Sequence, residues 1–218
     1  MKIRCAALLL LALFLCLPAF ADITSGQVTG GTALTAGGTF VLLTAPLANP
    51  FGPPDSVGND NFQSPNLYGF NEQQQVTLAA PLVVDVGSSP IAAGTVVSSH
   101  YIFFDPGPSE RVIGTVTFDA QVLGILTSTT NLANGDFLGL SNVNYLNPGD
   151  RGLEAGDSAT INGTNQISVD VVASTPGDYI RVITMSTPGT TNSMPEPGSL
   201  ALLAAGLLPF AVLLRRRS

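Results

Sequence analysis

Short runs of β-branched and aromatic residues alternate along the chain with clusters of glycine, proline, asparagine and aspartate. The clearest run is 111–119, in which Val112, Val116 and Phe118 share one face while threonines and Asp119 point the other way. A period of two residues is typical of a β-strand with one buried face. The pattern therefore predicts a sheet protein built from short strands.

Seven segments carry this strand pattern, and the gaps between them are rich in turn residues. They are 38–44, 75–86, 94–104, 111–119, 122–127, 166–173 and 179–185. Helical periodicity is missing from the sequence between them, which disfavours a parallel α/β sheet. We predict an all-β fold, an antiparallel β-sandwich of jelly-roll-like form over residues 22–185.

Local signals refine this prediction. Pro176-Gly177 favours a tight turn over 174–178, so the last two strands are predicted to form a hairpin. Pro81 indicates a break or an edge position within 75–86. Residues 49–71 and 134–157 are predicted to be long surface loops, where binding function tends to lie.

The N-terminus has the form of a secretory signal peptide, residues 1–21. Lys2 and Arg4 precede an apolar core, and Ala19 and Ala21 supply the small residues that signal peptidase reads. Cleavage is predicted after Ala21. The alternative is a lipoprotein signal acylated at Cys16, which the bulky residue before that cysteine disfavours.

The C-terminus has the form of a membrane anchor. A polar linker over 186–193 leads to Pro195-Glu196-Pro197, whose prolines favour an extended backbone. An apolar helix is predicted over about 199–214, and its core of roughly 23 Å is short against a hydrocarbon layer of about 30 Å. Arg215, Arg216 and Arg217 then favour a cytoplasmic end, with the domain outside.

The amino-acid composition limits which classes of partner the predicted exported domain could bind. Cys5 and Cys16 both lie in the signal peptide, so the mature chain has no disulfide. Between 22 and 193 fourteen acids face three arginines, a net charge of −11. Such a surface repels phosphate backbones, which excludes nucleic acid and leaves cations, neutral sugars and proteins.

Catalytic signals are weak. His100 is the only histidine, and no Gly-x-Ser-x-Gly elbow accompanies it, so it is assigned a structural or surface role. Zinc is disfavoured with one imidazole and no cysteine. Asp150, Glu154 and Asp157 could supply paired carboxylates for glycoside hydrolysis. The absence of tryptophan counts against a sugar cleft.

Calcium is the metal that the second predicted loop favours. Its glycine-rich backbone carries hard oxygen donors, with Asn134 and Asn147 beside four acids. The predicted ligands are the acids of this loop: Asp136, Asp150, Glu154 and Asp157. A merely solvated acidic loop is the alternative, with Arg151 pairing to Glu154 or Asp157.

The closing residues 194–218 resemble the PEP-CTERM sorting signal of bacterial envelope proteins. A Pro-Glu-Pro triplet, an apolar helix and a basic cluster occur in order and abut one another; Met194 stands where valine is common. The resemblance implies that Pro195, Glu196 and Pro197 are the motif recognised by exosortase, in bacteria that make exopolysaccharide. An ordinary single-pass anchor is the alternative, and it has the same topology.

The domain is similar, over much of 95–185, to an uncharacterised type found ahead of such tails. The segments concerned are 99–107, 114–119, 151–154 and 176–184. The function expected from the whole sequence is that of an exported, non-enzymatic surface or extracellular-matrix protein. The alternative is a secreted carbohydrate-binding module or hydrolase that acts on exopolysaccharide.

Overall fold

The computed structural model describes residues 21–43 and 56–186. The predicted sorting signal, the predicted linker except Ser186, and the predicted signal peptide except Ala21 lie outside these residues. The strands in chain order are β1 Ile23–Gly30, β2 Phe40–Leu42, β3 Ser56–Val57, β4 Leu67–Asn71, β5 Val76–Thr77, β6 Val86–Gly87, β7 Val96–Phe104, β8 Glu110–Phe118, β9 Val122–Leu126, β10 Asn144–Tyr145, β11 Ser158–Asn162, β12 Gln166–Ala173 and β13 Asp178–Met185. The helices are α1 Gly31–Thr35, α2 Thr129–Asn134 and a 3-10 helix, Asp136–Leu138.

Two sheets form the body of the fold. One has four antiparallel strands in the order β1-β8-β12-β11. The other has seven strands in the order β2-β4-β7-β13-β9-β6, with β5 added on β7. The prediction of an all-β sandwich is confirmed at this level.

Two short strand pairs depart from the antiparallel arrangement that was predicted for the sandwich. Strand β2 runs parallel to β4, and the short β10 runs parallel to β3. Both pairs are two or three residues long and lie at the margins. Longer antiparallel ladders hold the centre, where Ile180 of β13 lies opposite Ile102 of β7.

The first core lies between the two sheets. Val112, Val116 and Phe118 of β8 are fully buried here, which confirms the alternation predicted for this strand. They meet Ile102 and Ile180 from the seven-stranded sheet. Each such side chain contributes about 1.5–3 kcal/mol when it leaves water.

A second core covers the outer face of the seven-stranded sheet. Phe103 stacks on Tyr68 at 5.2 Å and on Tyr179 at 5.5 Å between ring centroids. Apolar residues from outside the sheet close over these rings, and we call residues 56–66, 78–85, 88–91 and 129–145 the loop layer. Its buried members are Val57, Phe62, Leu78, Leu82, Val84, Ile91, Leu132, Leu138 and Val143.

Helix α2 is fixed within the loop layer by its N-terminal hydrogen bonds. The Ser128 side chain accepts from the Asn131 amide at 3.3 Å, as an N-cap residue does. Asp85 accepts from the amides of Thr127 and Ser128 at 2.7 and 2.9 Å. These bonds set the position of the 3-10 helix that follows.

The predicted hairpin between the last two strands is wrong. Strand β12 belongs to the four-stranded sheet and β13 to the seven-stranded sheet, so residues 174–177 carry the chain from one sheet to the other. The reason lies in burial. Strand β12 mostly alternates between buried and partly exposed residues, whereas β13 is buried on both faces up to Thr184 and requires a central place between two cores.

Several predicted boundaries also change. The predicted loop 49–71 contains β4, and the predicted strand 75–86 keeps only β5 and part of β6 at its ends. Strands β1 and β11 were not predicted, because their polar sequences ITSGQVTG and SATIN lack a clear apolar face. Each is held by backbone hydrogen bonds to a longer strand, β1 to β8 and β11 to β12.

Candidate functional site

A buried ion pair joins the centre of the seven-stranded sheet to the chain that follows β4. Arg181 of β13 and Glu72 both have fully buried side chains. The guanidinium binds the carboxylate in a bidentate manner, with Nε to Oε2 at 2.6 Å and Nη2 to Oε1 at 2.9 Å. The Ser99 hydroxyl of β7 also donates to Glu72 Oε2, at 2.5 Å.

Asp136 extends this pair toward the surface. It accepts from Arg151 through both oxygens, at 3.0 and 2.7 Å, and from Arg181 Nη1 at 3.2 Å. The Arg151 side chain is fully buried, whereas that of Asp136 keeps 32% exposure. Two cations and two carboxylates therefore balance, and we call Glu72, Asp136, Arg151 and Arg181 the arginine network.

Two tyrosine rings enclose the guanidinium groups. Arg181 Cζ lies 5.1 Å from the Tyr101 ring centroid and 5.4 Å from that of Tyr145, which are cation–π distances. Arg151 donates to the Tyr101 hydroxyl at 3.2 Å. Burial raises the pKa of Tyr101 to about 12, so the phenol stays neutral. Burial alone would lower the pKa of Arg181, but Glu72 holds it above its usual range.

The arginine network fastens the loop layer and the loop around residue 151 to the sheet. Arg181 also donates to the Leu132 carbonyl of α2 at 3.1 Å, so one side chain holds β13, α2 and the 3-10 helix together. The hypothesis that Arg151 pairs with Glu154 or Asp157 is wrong, since its carboxylate partner is Asp136. Arg181 could have been found from sequence, because it is the one charged residue in the predicted strand 179–185.

The four predicted calcium ligands lie in different surroundings. Asp136 belongs to the arginine network. Asp157 accepts from the amides of Glu154 and Val172, at 3.3 and 2.8 Å. Asp150 and Glu154 are exposed in the loop on either side of Arg151. In the described ranges 21–43 and 56–186, no three histidine, cysteine, aspartate or glutamate side chains form a group that could hold a metal ion.

His100 of β7 has no exposure, and its ring lies 4.9 Å from that of Phe118 in the core between the sheets. Its Nδ1 lies 2.8 Å from Asn71 Oδ1, an acceptor, so Nδ1 carries the proton and Nε2 accepts from Thr184 Oγ1 at 3.0 Å. Burial lowers the pKa of His100 to about 3, which keeps the imidazole neutral. The structural role predicted for His100 agrees with this position.

Two buried carboxyl groups lie where β7 ends and β13 begins. Burial raises the pKa of Asp105 to about 6, although the Phe62 amide donates to it at 3.0 Å. Burial raises the pKa of Asp178 to about 7, with a further contribution from Asp157 and Glu154. Phe104 and Asp178 are opposite each other in the ladder, so both acids belong to one end of the sandwich, here called the acidic end.

We expect Asp178→Asn to stabilise the protein at pH 8 but hardly at pH 4. The folded state holds this proton more tightly than the unfolded state, whose pKa is about 3.9. The stabilisation is therefore complete below about pH 4 and is lost as the pH rises through 7. Asparagine does not ionise, so urea unfolding at pH 8 should show a gain of up to about 4 kcal/mol, the free energy that separates a pKa of about 7 from one of about 3.9.

Asp170→Asn is the matched control for this experiment. The Arg111 guanidinium bonds to Asp170 and lowers the pKa of that carboxyl, so the linkage has the opposite sign. Asp170→Asn removes this ion pair, so it should lower the free energy of unfolding at pH 8. An equal effect of Asp178→Asn at both pH values would contradict the linkage.

The surface of the loop layer also carries a shallow apolar groove. Its walls are residues 79–83 on one side and Asn131, Asn134 and Phe137 on the other. Val83 and Phe137 are more than half exposed there. None of the residues that line the groove carries a charge.

The described residues define an all-β sandwich whose loops are anchored to one sheet by buried ion pairs. Within the part of the chain that the structure describes, no helix is long and apolar enough to cross a membrane. No protein-family model, curated protein or solved structure matches the chain.

Proposed function

We propose that the protein is an exported, non-enzymatic surface or extracellular-matrix protein that is sorted by its C-terminal signal. The observation that carries the proposal is the order of parts in 194–218, a Pro-Glu-Pro triplet followed by an apolar run and three arginines. Exosortase is the processing enzyme that this resemblance implies, and exopolysaccharide is the associated material. The jelly-roll-like form, the signal peptide over 1–21 and the helix over about 199–214 belong to the same proposal.

The placement of the two ends of the domain supports a tethered role. The Asp119 amide donates to the Asp22 carbonyl at 3.1 Å, and the Met185 amide donates to the Gln121 carbonyl at 2.8 Å. The chain therefore enters β1 and leaves β13 beside the same turn, 119–121. A tail that begins after β13 would hold this end toward the membrane and present the acidic end outward.

The character of the domain supports a binding or structural role rather than catalysis. Its imidazole is closed to solvent, Arg181 is paired with Glu72 inside the fold, and the buried Arg151 is paired with Asp136. Its surface is strongly acidic, which suits hydration and cation-bridged contact within a polysaccharide matrix.

Replacing Pro195-Glu196-Pro197 by three alanines should block maturation. Alanine removes the fixed proline φ angles and the carboxylate while it leaves the apolar run and the arginines in place. In the native host we expect an unprocessed precursor to accumulate in the membrane, seen by intact mass and by fractionation.

The matched control replaces Thr187, Pro188 and Gly189 of the linker by alanine. This variant also changes three consecutive residues, one of them a proline, but it leaves the motif intact. The control should mature normally. If the Pro195–Pro197 variant matured as fast as the control, exosortase sorting would be refuted and an ordinary anchor favoured.

A further inference from the structure

The start of β1 is held against the turn after β8 by a pair of aspartates. The amide nitrogen of Asp22 donates to Asp119 Oδ1 at 2.7 Å. In return, the amide of Asp119 donates to the Asp22 carbonyl at 3.1 Å. The backbone nitrogen of Asp22 is thus within hydrogen-bond distance of the Asp119 carboxylate.

The Asn71 side chain holds the atoms on either side of the Asp22 nitrogen, namely the Asp22 carboxylate and the Ile23 amide. Asn71 at the end of β4 donates to the Asp22 carboxylate at 2.9 Å, and its Oδ1 accepts from the Ile23 amide at 3.1 Å. The same Oδ1 accepts from His100, which is buried between the sheets. The position of the Asp22 nitrogen is therefore set by side chains of β4 and β7 and by the turn after β8.

The two carboxylates have no cation beside them among the described residues. Burial, followed by repulsion from Asp119, raises the pKa of Asp22. The three arginines of the described ranges are engaged elsewhere: Arg111 pairs with Asp170, and Arg151 and Arg181 belong to the arginine network. His100, the nearest titratable side chain on β7, is neutral. The site lacks one positive charge.

We infer that removal of the signal peptide supplies this charge: cleavage after Ala21 makes the Asp22 nitrogen an ammonium that pairs with Asp119 and locks β1 onto the fold. Hydrolysis of the Ala21–Asp22 bond consumes one water, leaves Ala21 as a carboxylate, and frees an amine that takes up a proton at neutral pH. The inference rests on the proposed cleavage site. It makes the mature N-terminus a structural group rather than a loose end.

The physical gain comes from replacing a neutral donor by a charged one. The amide already donates to an ionised acceptor, and an ammonium in its place adds the Coulomb attraction between two opposite charges. The new charge also offsets the repulsion between Asp22 and Asp119. Since β1 is an edge strand of the four-stranded sheet, this contact secures a strand that has a ladder on one side.

The sequence allows a direct measurement. Residues 22–218 contain no lysine, so the α-amine is the only primary amine of the mature chain. Reductive methylation with 13C-formaldehyde therefore labels one site, whose NMR shift reports its protonation. The sample is the chain 22–218 in detergent micelles, with Asp22 exposed by a defined protease.

We expect the pKa of the Asp22 α-ammonium to lie at least one unit above the ordinary value of about 7.7–8.0. In Asp119→Asn it should return to the ordinary range, as it should in urea. Asp170→Asn is the control, because it removes the same charge from a distant strand and should leave the α-ammonium pKa raised. An ordinary pKa in the unsubstituted chain, unchanged in Asp119→Asn, would overturn the ion pair.

The cleavage site itself is tested separately by the intact mass of the protein from its native host. A native first residue other than Asp22 would overturn the cleavage site and with it the maturation step. The NMR titration uses a chain that starts at Asp22 in any case, so a failure there refutes the ion pair alone.

Discussion

Replacing Glu72 by glutamine is expected to lower the free energy of unfolding by about 3–5 kcal/mol, the usual loss when one partner of a buried ion pair is removed. Glutamine keeps the size of the side chain and one acceptor oxygen, but it leaves the Arg181 guanidinium without its fully buried counter-charge. Asp136 compensates only in part, because it makes a single bond to Arg181, is 32% exposed and already binds Arg151 through both oxygens. Urea unfolding at pH 7 measures the loss.

Two variants serve as controls for this experiment. Asp170→Asn breaks the ion pair with Arg111 on the exposed face of the four-stranded sheet, and it should cost far less because both side chains are solvated. Glu72→Leu combined with Arg181→Met removes both buried charges and should cost less than Glu72→Gln alone. If Glu72→Gln were as mild as Asp170→Asn, the arginine network would not be what fastens the loop layer.

Replacing Gly31 by alanine should destabilise the protein by at least about 2 kcal/mol more than the same change at Gly37. Both glycines have φ of +84°, so both variants incur the strain of a left-handed backbone, about 1–2 kcal/mol. Only at Gly31 would the added Cβ overlap the Arg111 carbonyl oxygen, with the carbonyl carbon 2.7 Å away. At Gly37 the Cβ meets open space.

The comparison isolates the close approach of β8 to the start of α1, because φ is the same at both positions. Circular dichroism during urea unfolding gives both free energies, and a spectrum without denaturant shows whether each variant keeps its sheets. Equal losses at the two positions would mean that the backbone beside Arg111 yields to the methyl group, and the packing argument would be wrong.

The pattern of β8 was readable from sequence because solvent covers its other face. Val112, Val116 and Phe118 alternate with partly exposed residues, so the period of two is visible. Strand β13 was found as a strand, but its place was not, because it is buried on both faces and pairs with β7 and β9 rather than β12. Short polar strands such as β11 carry no apolar signal and depend on a neighbour.

In the candidate site too, the sequence predicted some features and only the fold decided the others. The acids of 134–157 were recognised as a group in the sequence, but the sequence treats them as equivalent neighbours. In the structure Asp136 turns inward to two arginines and Asp157 bonds to backbone amides, while Asp150 lies on the surface. Glu72 comes from a different part of the chain and could not be paired with Arg181 across 109 residues without the fold.

The sequence by itself determined the class of fold, the acidic and cysteine-free character of the domain, and the order of parts at the two ends of the chain. These are properties of composition and of short-range pattern, which each segment carries alone. Only the tertiary structure decided which sheet receives each strand, which carboxylate meets each arginine, and that the start of β1 lies on Asp119. Those contacts join residues far apart in the chain, and the free energy of a buried charge depends on the partner that folding places beside it.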